Sequence, residues 1–381
     1  MKLKKNTVPT SGIISCSLFI LFWCAFSYAC LWASDTHTVS WEIQFHTIKL
    51  HKKLDYTRLK NMGIRKIIYR VFLDDEEKGG LYFNNTRFKT LEPALETLID
   101  EFDYKHMDLC AWMIGRNFKW VDQSLLDYRY ENGQRRLIRK LDLFNPEAVQ
   151  KLMEVYRELA SHKIAAVLIQ DDFTIRYNEG FSGWGKAHFA QAVKVPARED
   201  LMIQKNTPYN RSWNRVKMTQ LNKVLKLIVE SCKRVNSGIK IGINVYYETP
   251  LYEERAEAWY GHNLNEILAA GVDYIYLMSY HRQIKEEMKF SETRNQVFFK
   301  ELVEKAYALC KEKLVVKIQL RDWTTGERIP VEEARVYLDL IPSQVQRVCL
   351  TPVTLDDLDY LEEILGKPRR HAKTREEKEK R

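Results

Sequence analysis

The sequence predicts an α/β fold, a single (β/α)8 barrel with a long insertion after its fourth strand. Three observations carry that expectation. Past Ser34, eight short apolar runs rich in β-branched residues alternate with amphipathic stretches of helical length. Several runs are apolar throughout, as strands covered on both faces are. Strand–helix repeats make parallel sheets, and eight of them within roughly 330 residues suit a closed barrel better than an open sheet.

The first 33 residues stand apart. Lys2, Lys4 and Lys5 precede a stretch from Asn6 to Ser34 with no charged residue, whose apolar heart runs from Ile13 to Trp32. A positive start followed by an apolar stretch is the layout of a secretory signal. Ser27 and Ala29 suit cleavage before Cys30, a lipidated Cys30 would make a lipoprotein, and residues 11–33 are long enough for an uncleaved anchor. All three routes export the body to the periplasm or cell envelope, with membrane contact through this segment only.

The strand candidates follow in order: Val39–Ile48, Lys66–Phe72, Met107–Met113, Ala165–Gln170, Lys240–Tyr247, Tyr274–Ser279, Val315–Leu320 and Val348–Val353. Between them, Pro146–Leu159 opens on Asn145-Pro146, a cap followed by proline at the first helical position. Trp213–Val235 carries an apolar face, and Asn263–Ala270 stops at Gly271. Thr293–Glu312, Val331–Leu340 and Leu355–Leu365 complete the alternation. Thr174 to Arg211 breaks the rhythm and reads as a lid or substrate wall. Residues 34–366 are thus expected to form the barrel domain, and 367–381 a charged, disordered tail.

Charge and cysteine usage exclude several functions. The net charge of +9 gathers at the ends: the first 33 residues hold three Lys, and the tail from Lys367 holds eight basic residues against three Glu. The body is left near neutrality, so the basic balance does not point to nucleic acid. Cys110, Cys232, Cys310 and Cys349 form no C-x-x-C pair and lie near no His at ligand spacing, so neither zinc nor another metal is expected. No glycine-rich phosphate loop is present and no cofactor is called for. The strand ends, read in sequence, offer no lysine suited to a Schiff base.

Barrel chemistry sits where strands end. Those positions hold Trp112 after the third strand and Asp171 and Asp172 after the fourth. Tyr246 and Glu248 follow the fifth, Tyr280 and His281 the sixth, and Gln319, Asp322 and Trp323 the seventh. Acids among aromatic rings are what a sugar site needs, since rings cover the apolar faces of pyranoses and acids move protons at the glycosidic oxygen. Asp171-Asp172 is the sharpest signal. Neighbouring strand side chains point to opposite sides, so one is expected to enter the cavity and the other to brace a loop. Against this stands a plain surface turn, and for His281 a bystander role.

Ala166-Val167-Leu168-Ile169-Gln170-Asp171-Asp172 resembles the fourth-strand motif of the C-terminal barrel of PgaB-type poly-β-1,6-N-acetylglucosamine processing proteins, which carry His-Asp-Asp there. Cys110-Ala111-Trp112-Met113, Leu143–Pro146, Trp213–Lys217, Ala256–Asn263 with Trp259, Met278–Tyr280 and Gln319–Trp323 agree in the same order. The resemblance spans roughly residues 60–355. It implies an exported glycoside hydrolase that cuts a partially de-N-acetylated polymer within its chain, an acidic aromatic groove suited to ammonium groups, and exopolysaccharide synthesis or export machinery as partners. Gln170 replaces the family's His, and Tyr177 stands where the family has a further Asp, while Glu179 keeps the next acid. Between Ser34 and the first strand no room is left for the family's deacetylase domain.

The expected catalytic set is Asp171 or Asp172 with Glu179, Glu248 or Asp322 as second carboxylate. A separation of about 5–5.5 Å would mean retention and roughly 6.5–9.5 Å inversion, and a substrate N-acetyl group acting as nucleophile is a third route. Trp112, Tyr246, Glu248, Trp259, Tyr280, His281, Gln319, Asp322 and Trp323 are expected to bind the polymer. A non-catalytic glycan-binding or export module using the same groove is the alternative, favoured by Tyr177.

Overall fold

A computed structural model describes residues 39–47, 54–105 and 107–366. The expectations for residues 1–33 and 367–381, and for the end of the first strand at Ile48, lie outside them.

Eight parallel strands close a barrel: β1 Ser40–Phe45, β2 Ile64–Arg70, β3 Asp108–Met113, β4 Ala166–Ile169, β5 Lys240–Tyr246, β6 Tyr274–Met278, β7 Leu314–Gln319 and β8 Arg347–Val353. β8 returns to β1 in register, with Val348 opposite Trp41. Each strand is followed by a helix of the outer ring: α1 Tyr56–Asn61, α2 Ala94–Lys105, α3 Pro146–Ala160, α4 Pro208–Val235, α5 Leu264–Ala269, α6 Glu292–Cys310, α7 Val331–Asp339 and α8 Leu358–Leu365. All eight predicted strands are present.

The barrel interior is not purely apolar. Glu42, 0% exposed, takes Lys66 at 3.0 Å and the Tyr276 hydroxyl at 2.7 Å. Gly242 on β5 leaves room for that tyrosine, since a Cβ there would meet its ring at 2.6 Å. A buried ion pair that also accepts a hydroxyl proton fills the lower barrel without an orphan charge.

Two differences from the expected elements matter for the site. α4 starts at Pro208, five residues before Trp213, because the Thr207 hydroxyl accepts the Asn210 N–H and proline fits the first helical turn. The insertion ahead of it is partly helical, with Gly183–Val193 and Glu199–Met202. The second difference is a β-hairpin after β3, Leu126–Glu131 paired with Gln134–Leu141, turning on Asn132 and Gly133 at φ of 51° and 75°. Both turn residues are left-handed, as a two-residue Asn-Gly hairpin requires.

A buried charge cluster joins the hairpin to the insertion. Arg116, 0% exposed, donates to Asp127 at 2.8 Å, to Glu179 at 2.9 Å and to the Leu141 carbonyl at 2.9 Å. Lys140 on the hairpin adds a 2.7 Å bond to Glu179. The hairpin backbone bonds the insertion through Tyr130 to Asn178 and Phe181 to Tyr128, both at 2.9 Å.

Candidate active site

The C-terminal ends of the strands surround a cavity of about 460 Å³. Gln44 and His46 come from β1 and its end, Trp112 from β3, Asp171 from the end of β4, and Met278 and Tyr280 from β6 and its end. Lys317 and Gln319 come from β7, while Arg282, Glu286, Asp322 and Trp323 reach in from the loops and helix beyond β6 and β7.

The adjacent acids diverge. Asp171 lines the cavity, and among the described residues nothing bonds its carboxylate; its backbone carbonyl accepts the Tyr246 hydroxyl at 3.2 Å. Asp172 turns the other way, into the loop after β3. Its Oδ1 accepts the Gly115 N–H at 2.8 Å, and its Oδ2 accepts those of Arg116 at 2.7 Å and Asn117 at 2.5 Å. Burial pushes the Asp172 carboxyl up to about 6, and the three N–H donors work against that rise. Alternation along the chain thus leaves one acid free and uses the other to fold a loop.

Five more predicted residues meet Asp171 at the cavity: Trp112, Tyr280, Gln319, Asp322 and Trp323. Trp323 is 42% exposed, and its ring lies 5.2 Å from that of Tyr280 and 6.0 Å from that of His46. The Trp112 ring lies 4.8 Å from that of His46, and its indole N–H is buried without a partner among the described residues. Asp322 is bonded by Arg282 at 3.0 Å and by the N–H groups of Thr324 and Thr325, which hold its carboxyl below the usual range.

The other predicted residues lie elsewhere. Glu179 belongs to the Arg116 cluster; burial would raise its carboxyl, but Arg116 and Lys140 prevail and hold it at about 2. His281 is buried against Tyr337, with ring centroids 4.0 Å apart, and its Nε2 meets Glu333 at 2.9 Å. Tyr246 stacks on Tyr260 at 4.2 Å, and the Tyr260 hydroxyl donates to Glu248 at 3.1 Å. Burial raises the Glu248 carboxyl. Trp259 packs on Tyr177 at 4.9 Å, with the Lys205 ammonium over both rings. None of these five lines the cavity beside Asp171.

Comparison with known proteins gives the family and the fold. The family model for hypothetical glycosyl hydrolase family 13 matches residues 50–346. The chain belongs to that family. No curated protein matches it. Among solved structures, the glycoside hydrolase domain of PgaB (BpsB) from Bordetella bronchiseptica is 17% identical, with a TM-score of 0.69 over 86% of this chain and 99% of that one. A family 42 β-galactosidase from G. stearothermophilus, in a catalytic mutant, is 10% identical with a TM-score of 0.61, covering 84% of this chain and 51% of that one. A β-galactosidase from Halorubrum lacusprofundi gives 8% and 0.56. At these identities the likeness is one of fold, the glycosidase barrel.

For this glycoside hydrolase, sequence reasoning passed over several cavity residues. Gln44 and Lys317 face inward on strands, His46 follows the end of β1, and Glu286 stands exposed on the helix His281–Met288 with its carboxylate unpaired among the described residues. Lys317 lies two residues inside the end of β7, deeper than the strand-end positions read from the sequence. It is 2% exposed, donates to Asn244 Oδ1 at 2.8 Å, and has no carboxylate within 4 Å among the described residues. Burial lowers its pKa, while Cys349 and Asp171 act to raise it. The available signal was polarity at alternate positions: Gln44 on β1 and His46 just past its end, Lys317 and Gln319 on β7. Among the described residues no group of three or more His, Cys, Asp and Glu is clustered as metal ligands.

Proposed function

We propose that this glycoside hydrolase cleaves a β-1,6-linked, partially de-N-acetylated N-acetylglucosamine polymer within its chain, with Asp171 as a catalytic carboxylate. The observation that carries the reading is the Asp171 carboxylate, without a hydrogen-bond partner among the described residues, in a cavity walled by Trp112, Tyr280 and Trp323. Rings for pyranose faces and a free acid are the parts glycoside hydrolysis uses. Asp322 and Glu286 are the candidate second carboxylates at this cavity. Asp322 is held by Arg282 and two N–H groups, which suits a fixed anion; Glu286 is unpaired and suits proton transfer. The likeness to the PgaB domain supports the polymer, and the N-terminal segment supports export to the periplasm or cell envelope, beside the machinery that makes or exports the polymer.

Incubating purified protein with β-1,6-linked poly-N-acetylglucosamine of graded de-N-acetylation and sizing the products tests this directly. Shortened chains that disappear with Asp171→Asn are the expected result, and Glu286→Gln and Asp322→Asn then report the second acid. Unchanged polymer bound by the wild type would favour the second reading, a glycan-binding module. Tyr177 supports that reading, since its ring packs on Trp259 where the PgaB-type family has an acid.

A further inference from the structure

The cavity has a floor and a rim of different character. At the rim, Trp323 is 42% exposed and Glu286 is open to solvent. At the floor lie Gln44, 0% exposed, and Lys317, 2% exposed. Both polar atoms of the Gln44 carboxamide, and the Trp112 indole N–H beside the same cavity, are buried without a partner among the described residues. Buried polar groups left unpaired are costly, so a polar ligand that pairs with them gains what water has lost. The Lys317 ammonium uses one acceptor, Asn244 Oδ1, which is aimed at it because the Asn244 amide N–H donates to the Ile169 carbonyl at 2.9 Å. Lys66, lower in the same barrel, shows the contrast: it is neutralised by Glu42 at 3.0 Å. Among the carboxylates lining the cavity, Asp322 is already taken by Arg282.

We propose that Lys317 is a specificity-determining residue: its buried ammonium, beside the unpaired Gln44 carboxamide, makes the cavity floor a subsite for an uncharged sugar ring, N-acetylated or hydroxylated, and excludes one bearing a free ammonium. The inference rests on the amino-sugar polymer proposed above and narrows it. A like charge built into a desolvated floor repels a cationic ring more than any neutral one, and exclusion of the wrong partner is how such sites discriminate. Gln44 and Trp112 supply donors and an acceptor that an acetamido group or hydroxyls can meet. De-N-acetylated units are then held at the rim, where Glu286 is exposed with its carboxylate unpaired among the described residues.

The test uses the full chain and two β-1,6-thio-linked glucosamine trisaccharides, fully N-acetylated and fully free-amine, whose sulfur bridges resist cleavage. Calorimetric titration at pH 6 should give the acetylated form at least tenfold tighter binding. Lys317→Met should shrink that ratio to within about threefold by improving the free-amine ligand, and Lys317→Arg should preserve it. Asn244→Asp sets a carboxylate against the ammonium, cancels its charge without removing the side chain, and should shrink the ratio likewise even if Lys317→Met fails to fold. A ratio unchanged in both neutralising variants, or a wild type that prefers the free-amine form, overturns the proposal and leaves the polymer reading standing. Binding of neither trisaccharide sinks the polymer reading and this proposal with it.

Discussion

Asp171→Asn and Asp172→Asn change neighbouring residues and should fail in different ways. Asp171 has no hydrogen bond to its carboxylate among the described residues, so its replacement leaves packing intact. Loss of a catalytic carboxylate should lower kcat/KM by about a thousandfold, roughly 4 kcal/mol, with the melting temperature held within about 2 °C. Asp172 is the reverse case. Asparagine keeps one acceptor oxygen, so its amide faces either the Gly115 N–H or those of Arg116 and Asn117. One or two buried N–H groups left unmatched cost about 2–4 kcal/mol. The pH dependence sharpens the test. With its folded pKa raised from 3.8 to about 6 by burial, Asp172 favours the folded state most when protonated. That stability, about 3 kcal/mol in full, is present below about 3.8 and lost as the pH rises through about 6. Asparagine does not titrate, so the gap between wild type and Asp172→Asn should widen by about 2 kcal/mol between pH 7.5 and pH 4.5. Urea denaturation at the two pH values measures the gap, and polymer cleavage measures turnover. An Asp172→Asn enzyme that is stable but inactive, beside an active Asp171→Asn, would refute the assignment of the two roles.

Three other expectations follow from the same geometry. Trp323→Ala removes the exposed ring beside Tyr280 and should raise KM for long chains by roughly five- to thirtyfold with kcat little changed, a loss of about 1–2 kcal/mol of stacking, read by steady-state kinetics. Glu179→Gln strips Arg116 and Lys140 of their shared partner and should cost about 3–5 kcal/mol in chemical denaturation. Because the Glu179 carboxyl is held at about 2 against an ordinary 4.5, its contribution is present above about 4.5 and lost as the pH falls toward 2, which acid denaturation of the two proteins compares. Activity should survive EDTA; loss with chelator and recovery with zinc would overturn the expectation of metal-independent chemistry.

The strands were legible because parallel barrel strands are covered on both faces and leave unbroken apolar runs such as Val167–Ile169 and Val315–Val316. The hairpin after β3 was legible too and was passed over: Asn132-Gly133 between Leu126–Glu131 and Gln134–Leu141 is a turn signal that needs no tertiary information. Glu179 shows what sequence spacing cannot supply. It lies in the insertion ten residues past the fourth strand, on the side of the barrel where a second catalytic acid was expected, yet Arg116 from the loop after β3 and Lys140 from the hairpin claim it. Only the folded chain brings those cations to it. Lys317 shows the complementary error. Reading strand ends alone ignored the inward positions two residues deeper, where a polar residue in an otherwise apolar strand has to meet a partner, a ligand or an interior cavity. Lys66 meets a partner in Glu42, whereas Lys317 meets the cavity. Two inward lysines in one barrel thus do opposite work, and the difference lies in whether a carboxylate stands on the strand beside them: β1 supplies Glu42 next to β2, while β6 and β8 set Met278 and Cys349 opposite Lys317. With no carboxylate on either neighbouring strand, the Lys317 ammonium keeps Asn244 Oδ1 as its hydrogen-bond acceptor among the described residues and faces the cavity that Asp171 also lines.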